Sequence, residues 1–221
     1  MTFIANLDKM IRQPTIKELR ERCEKKDAHG PILRACDYVA IYAGKLFLYT
    51  NLTPNQITGI WLLVKTLGAL LIAIGDYRSM ILGILIFHFG SIIDGADGVV
   101  ARYTKKYSLN GIYLDYLGHY FCNSLVLITI AFGAYRNSGD YLYFIPAAIG
   151  VFAFLFAKAS TISLTWYNNP EQRGKVEEII YGKNLSLKAQ ENRFVAIFWD
   201  ILRIENPFNI LFWGLLLDYP L

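Results

Sequence analysis

Apolar and polar positions alternate along this chain in long blocks rather than residue by residue. Residues 14–28, PTIKELRERCEKKDA, read as a charged surface helix. Residues 31–50, PILRACDYVAIYAGKLFLYT, mix apolar and polar positions with Tyr38, Tyr42, Phe47 and Tyr49, a pattern suited to a helix lying in a membrane interface. Apolar runs of about twenty residues follow, the length a bilayer-crossing helix needs. The first runs from 53 to about 74, with Thr53 as its predicted N-cap and Pro54 as its first helical residue. The second covers 79–103, the third 111–135 and the fourth 141–166. Residues 167–193 form a long polar connection with a short helix. A fifth run starts near Phe194, breaks around Glu205-Asn206-Pro207 and resumes to Leu221. It is either one kinked helix or one helix and the start of another.

The pattern predicts an all-α integral membrane protein: a bundle of about five or six transmembrane helices preceded by an amphipathic interfacial helix. Residues 1–52 form its N-terminal part and 53–221 its membrane domain. Composition agrees, since 54% of the 221 residues are hydrophobic and only 18% charged, against about a quarter charged in soluble domains. The N-terminus lacks an apolar core of signal-peptide length, so no cleaved leader is expected. Cys23, Cys36 and Cys122 form no paired spacing and read as free thiols. The net charge of +4 carries no dense basic run, which excludes nucleic acid as the expected partner. Lys and Arg gather in 1–52, in 102–110 and in 167–193, and are sparse in the alternate loops. That bias places the N-terminus in the cytosol, with the ends of the second and third spans beside it.

At that end lies the stretch DGADGVVARYTKKYSLNGIYLDYLGH, residues 94–119. Carboxylates in a bilayer are expensive and mark functional sites. Asp94, Asp97, Gly98 and Ala101 share one helical face by spacing, two acids beside two small residues. Gly111, Asp115 and His119 share a face of the next helix, with Gly118 beside them. Two antiparallel helices with a short link are expected to turn these faces together into a cytosol-facing cup. Three acids so close need counter-charge. A divalent cation provides it, and oxygen ligands suit Mg²⁺ or Mn²⁺, which also hold substrate phosphates. The chemistry points to phosphoryl-type transfer at a membrane surface. The alternative is an acid–base network that fixes helix packing, with Arg102 and Lys105 paired to the aspartates.

The spacing Asp94-x-x-Asp97-Gly98-x-x-Ala101-Arg102, eight residues, Gly111, three residues, Asp115, three residues, His119 resembles the signature of the CDP-alcohol phosphotransferase family, which ends in Asp where this chain has His119. Thr53-Pro54-Asn55 resembles a further family feature. The resemblance implies transfer of a substituted phosphate from a CDP-linked donor, CDP-diacylglycerol first among them, to an alcohol or alcohol-phosphate acceptor, with release of CMP in phospholipid biosynthesis. A soluble CDP-alcohol donor with a lipid or glycan acceptor is the alternative within the class. A second class is a non-catalytic member that binds nucleotide or lipid or scaffolds a partner enzyme, and a third is an ion or solute transporter, against which the acids' place at the cytosolic edge argues. The resemblance further implies one or two divalent ions on Asp94, Asp97 and Asp115. It places nucleotide contacts at Asn55, Asp94, Gly98, Ala101, Arg102 and Gly111, and it implies a homodimer in the membrane lipid. His119 takes the position of the family's general base and of a ligand to a second ion. Imidazole is a good base near neutral pH but a poorer Mg²⁺ ligand, which predicts a weaker second metal site or greater tolerance of Mn²⁺.

Other polar residues carry weaker signals. Lys158, Thr161 and Thr165 share a face and suit either a phosphate of the acceptor or donor, or a lysine snorkelling past hydroxyl packing. Lys105 and Lys106 lie at the cup mouth and suit anionic substrates or lipids; solvated charge is the plainer reading of Lys106. Lys65 lies too deep for easy snorkelling and predicts a partner on a neighbouring helix. Asp200 and Arg203 read as a structural pair, and His88 as core packing.

Overall fold

A computed structural model describes residues 14–23, 31–106 and 108–168. The fifth apolar run, the 167–193 connection beyond Asn168, and the Asp200–Arg203 pair lie outside the described residues. Every long element among the described residues is a helix. They are α1 (Ile16–Cys23), α2 (Pro31–Leu48), α3 (Pro54–Ile72), α4 (Tyr77–Thr104), α5 (Leu109–Ser138) and α6 (Phe144–Asn168), with a 3-10 turn at Tyr141–Tyr143 before α6. Among the described residues, four spans are long and apolar enough to cross a membrane: Pro54–Ile72, Tyr77–Thr104, Asn110–Ser138 and Tyr141–Ser160. The first four predicted spans therefore stand, with α4 and α5 each extended by one to three residues at their ends. The fold is that of an all-α membrane protein.

The helix ends follow local chemistry. Thr53 closes a capping box with Gln56: its hydroxyl accepts from Gln56 N at 3.3 Å, and Gln56 Oε1 accepts from Thr53 N at 2.8 Å. Asp76 caps α4 by accepting from Ser79 N at 3.0 Å, and Ser108 caps α5 by accepting from Gly111 N at 3.0 Å. Gly75, at φ +88, makes the α3–α4 turn, and its carbonyl accepts from Asn137 of α5.

α3 is the packing centre of the spans. It lies along α4 and also against α5, whereas α4 and α5 approach each other at few points. The α3–α4 crossing is tight because Gly68 and Gly83 face each other. A Cβ on Gly83 would stand 2.5 Å from the Gly68 carbonyl oxygen, and one on Gly68 would stand 2.7 Å from that of Gly83. Ile57, Trp61, Ala69, Ile72, Ile84, Phe87 and Val126 fill the core around this crossing.

The amphipathic α2 does more than lie in an interface. Its Ala40 and Ile41 are buried, and Ala40 meets α4 at Gly95. Tyr38, Val39, Tyr42 and Leu46 face outward. α1 is a surface helix with one docked edge: Leu19 and Cys23 pack with Ile41 and Val99. Arg20 stacks on the Tyr38 ring at 4.0 Å and donates to Tyr42 Oη at 3.5 Å, which fastens α1 to α2.

Candidate functional site

Three helices bring polar groups to one depth. Lys65 lies eleven residues into α3, Asp94 ten residues before the end of α4, and His119 ten residues into α5. At the helical rise each is about 15 Å along its helix from the same end of the bundle. Thr58, Trp61, Asp97 and Asp115 lie nearer that end. The expected cup of two helices is thus a cup of three. α3 packs against both α4 and α5, and the Asp94 and His119 side chains meet beside it.

His119 Nε2 stands 3.4 Å from Asp94 Oδ2 and 3.6 Å from Asp115 Oδ1. One donor atom from each of Asp94, Asp115 and His119 lies within 4.8 Å of the others. Two carboxylate oxygens and an imidazole nitrogen at that spacing fit a divalent metal ion. These side chains are 17%, 24% and 22% exposed, so an ion or phosphate can reach them. The His119 ring packs at 5.1 Å on Trp61, which limits its rotation.

Asp97 is held differently. It is buried, and its Oδ2 accepts from Thr58 Oγ1 at 2.7 Å and from Trp61 Nε1 at 2.9 Å. Both donors come from α3. Gly118 of α5 makes room for the indole: a Cβ there would stand 2.5 Å from Trp61 Cη2. Lys65 is wholly buried, and its Nζ lies 3.2 Å from Asp94 Oδ2. This is the neighbouring-helix partner that the depth of Lys65 predicts.

The remaining predicted residues divide by position. Asn55 braces the start of α5: its side-chain amide donates to Ser108 Oγ at 3.3 Å, and its carbonyl oxygen lies directly against Gly111. Gly98 and Ala101 lie on the Asp94–Asp97 side of α4. The Arg102 guanidinium lies over Gly98, with Nη1 at 3.1 Å from where a Cβ would be. Arg102 also lines a cleft toward α1 and α2 with Cys23, Asp37, Ala40, Ile41, Gly95 and Val99. Burial there pushes the Cys23 thiol up, with Arg102 and Arg22 opposing. Lys105 ends α4 in a left-handed conformation, φ 54, and is exposed beside Lys106. Lys158 is exposed, with its Nζ 5.8 Å over the Phe154 ring, and the side chains of Thr161 and Thr165 lie outside the described residues.

Sequence spacing does not single out Thr58 and Trp61. A polar residue one helical turn into the first span, followed by an indole three residues later on the same face, was the available signal.

A family model described as CDP-alcohol phosphatidyltransferase matches residues 51–215. The chain is also similar to the bifunctional IPC transferase and DIPP synthase of Archaeoglobus fulgidus, 31% identical over 160 residues. The match takes in 70% of this chain and spans 29% of that relative's length.

Proposed function

The chain belongs to the CDP-alcohol phosphatidyltransferase family, and on that premise we propose that it transfers a substituted phosphate from a CDP-linked donor to an alcohol, releasing CMP. The observation that carries the reading is the convergence of Asp94, Asp115 and His119 within 4.8 Å at one end of membrane-spanning helices. CDP-diacylglycerol is the proposed donor. A site at that level lets acyl chains stay among lipids while the nucleotide reaches from water. The positive-inside bias supports a cytosolic N-terminus and a cytosolic site. The proposed partners are the donor, an alcohol or alcohol-phosphate acceptor, membrane lipid and, on the family resemblance, a second copy of the chain.

Asp94, Asp97 and Asp115 would hold Mg²⁺ or Mn²⁺. When bound, the ion stabilises charge on the pyrophosphate oxygens. Thr58 and Trp61 fix the Asp97 carboxylate, so it need not reorganise when the donor arrives. His119 Nε2 takes the acceptor's hydroxyl proton, and Asp115 beside it stabilises the imidazolium. The acceptor oxygen bonds to the phosphorus of the transferred group. The bond from that phosphorus to the bridging oxygen breaks, and CMP leaves with the electron pair. Asn55, Gly98, Ala101, Arg102 and Gly111 are the proposed nucleotide surface. Lys105, Lys158 and Thr161 are proposed phosphate or acceptor contacts.

The test is CMP release by purified protein. CDP-diacylglycerol and soluble CDP-alcohols are each offered with Mg²⁺ or Mn²⁺ and a panel of alcohols and alcohol phosphates. CMP with the lipid donor supports the proposal, and CMP with soluble donors alone moves the donor to the second class. Metal-dependent nucleotide binding without CMP from any pair sinks the catalytic reading. Asp97→Asn should abolish metal-dependent nucleotide binding.

A further inference from the structure

Lys65 has no part in the chemistry above, yet a site is built around it. Its side chain is wholly buried. Besides Asp94 Oδ2 at 3.2 Å, its Nζ faces the Trp61 ring at 4.6 Å and the Phe87 ring at 5.7 Å. Gly90 of α4 leaves space for its stem: a Cβ there would stand 2.6 Å from Lys65 Cγ. Two aromatic faces, a carboxylate and a missing side chain together make a slot for one cationic chain. A buried ion pair is a weak source of stability, because desolvation consumes the attraction. A slot of this kind is better explained by what the cation does to the cup.

We propose that Lys65 is a tethered counter-ion and that the cup therefore takes a single divalent ion per chain. The proposal rests on the reading of the cup as the metal site. Asp94 Oδ2 is shared by the Lys65 ammonium and His119 Nε2. That side of Asp94 already carries a fixed positive charge on a rigid helix. A second divalent ion there would face the ammonium at short range, in surroundings that screen charge poorly. On the protein side, before any nucleotide phosphate enters, three carboxylates against one ammonium leave two negative charges, which one divalent ion balances. His119 in place of a fourth acid preserves that balance.

The experiment is Mn²⁺ titration of the full chain in detergent micelles after chelation, without nucleotide, with free Mn²⁺ counted by electron paramagnetic resonance. Wild type should bind one Mn²⁺ per chain. Lys65→Met with His119→Asp should bind two, and Lys65→Arg with His119→Asp should return to one. Helicity is followed by circular dichroism. If the double variant does not fold, Lys65→Met alone should still raise Mn²⁺ affinity at least tenfold, and unchanged affinity would overturn the role of Lys65. Two ions in wild type, or one in a folded double variant, overturn the proposal and leave the transferase reading standing. No Mn²⁺ bound and no CMP released overturn both.

Discussion

The two donors to Asp97 give the sharpest quantitative expectation. Thr58→Val keeps the shape of the side chain and removes the hydroxyl 2.7 Å from Asp97 Oδ2. Trp61→Phe keeps an aromatic ring and removes the Nε1–H donor at 2.9 Å from the same oxygen. A hydrogen bond to a charged group contributes about 1.5–3 kcal/mol, which corresponds to roughly 10- to 150-fold in an equilibrium constant. Outer partners of a metal ligand give a similar range, about 10- to 100-fold in affinity. Each single variant should therefore weaken Mn²⁺ binding by about 10- to 100-fold, with CMP release falling in parallel at fixed low Mn²⁺. The two effects should not add, because both donors share one oxygen. A coupling of about 0.5–3 kcal/mol is expected in the double-mutant cycle. Thr66→Val is the control: its hydroxyl donates to the Leu62 carbonyl at 2.8 Å, on the same helix and without contact with the acids. It should leave Mn²⁺ binding unchanged. Wild-type Mn²⁺ affinity in both Thr58→Val and Trp61→Phe, or a loss in Thr66→Val as large as theirs, would refute the reasoning.

His119→Asp should increase Mg²⁺-supported activity relative to Mn²⁺, read from CMP release with each metal; an unchanged metal preference counts against a role for His119 at the ion. Gly83→Val places branched carbons against the Gly68 carbonyl. It should lower the thermal midpoint by an amount equivalent to about 1–3 kcal/mol or more, and a midpoint equal to wild type would contradict the close helix crossing. Asp76 is held below its ordinary value of 3.8 by the Ser79 hydroxyl, then by the Ser79 backbone N–H. Its contribution to α4 is full above the ordinary value and is lost as pH falls below it. Asp76→Asn should flatten that part of the curve of thermal midpoint against pH, and an unchanged slope would exclude the cap as its source.

The first four spans were legible because each is a continuous apolar run, and their starts were legible where local chemistry marks them, as at Thr53 and Pro54. The acid spacing placed Asp94 and Asp97 on one helix face and Asp115 and His119 on another, and the structure brings Asp94, Asp115 and His119 together. What stayed hidden depends on rotation about helix axes. Trp61 meets Asp97 across 36 positions and Lys65 meets Asp94 across 29. Those registers follow from the Gly68–Gly83 crossing, which no periodicity in either helix reports alone. Arg102 shows the same point in reverse. Adjacent in sequence to Ala101, it reaches a cleft lined by residues of α1 and α2 as well as α4.

The slot at Gly90 has a consequence for variation among related chains. A side chain at position 90 would meet the Lys65 stem first, at 2.6 Å, and then the α3 backbone. Where the lysine is absent, its stem no longer bars a methyl group at 90, which would still stand 3.3 Å from the α3 backbone nitrogen of position 65. Where the lysine is absent, the charge it supplied is also missing, and an acid at 119 with another ion becomes tolerable. Positions 65, 90 and 119 should therefore change together, as a lysine, glycine and histidine set exchanged for a smaller residue, an alanine and an acid. Three positions on three helices would then carry one inherited choice about how the cup is neutralised.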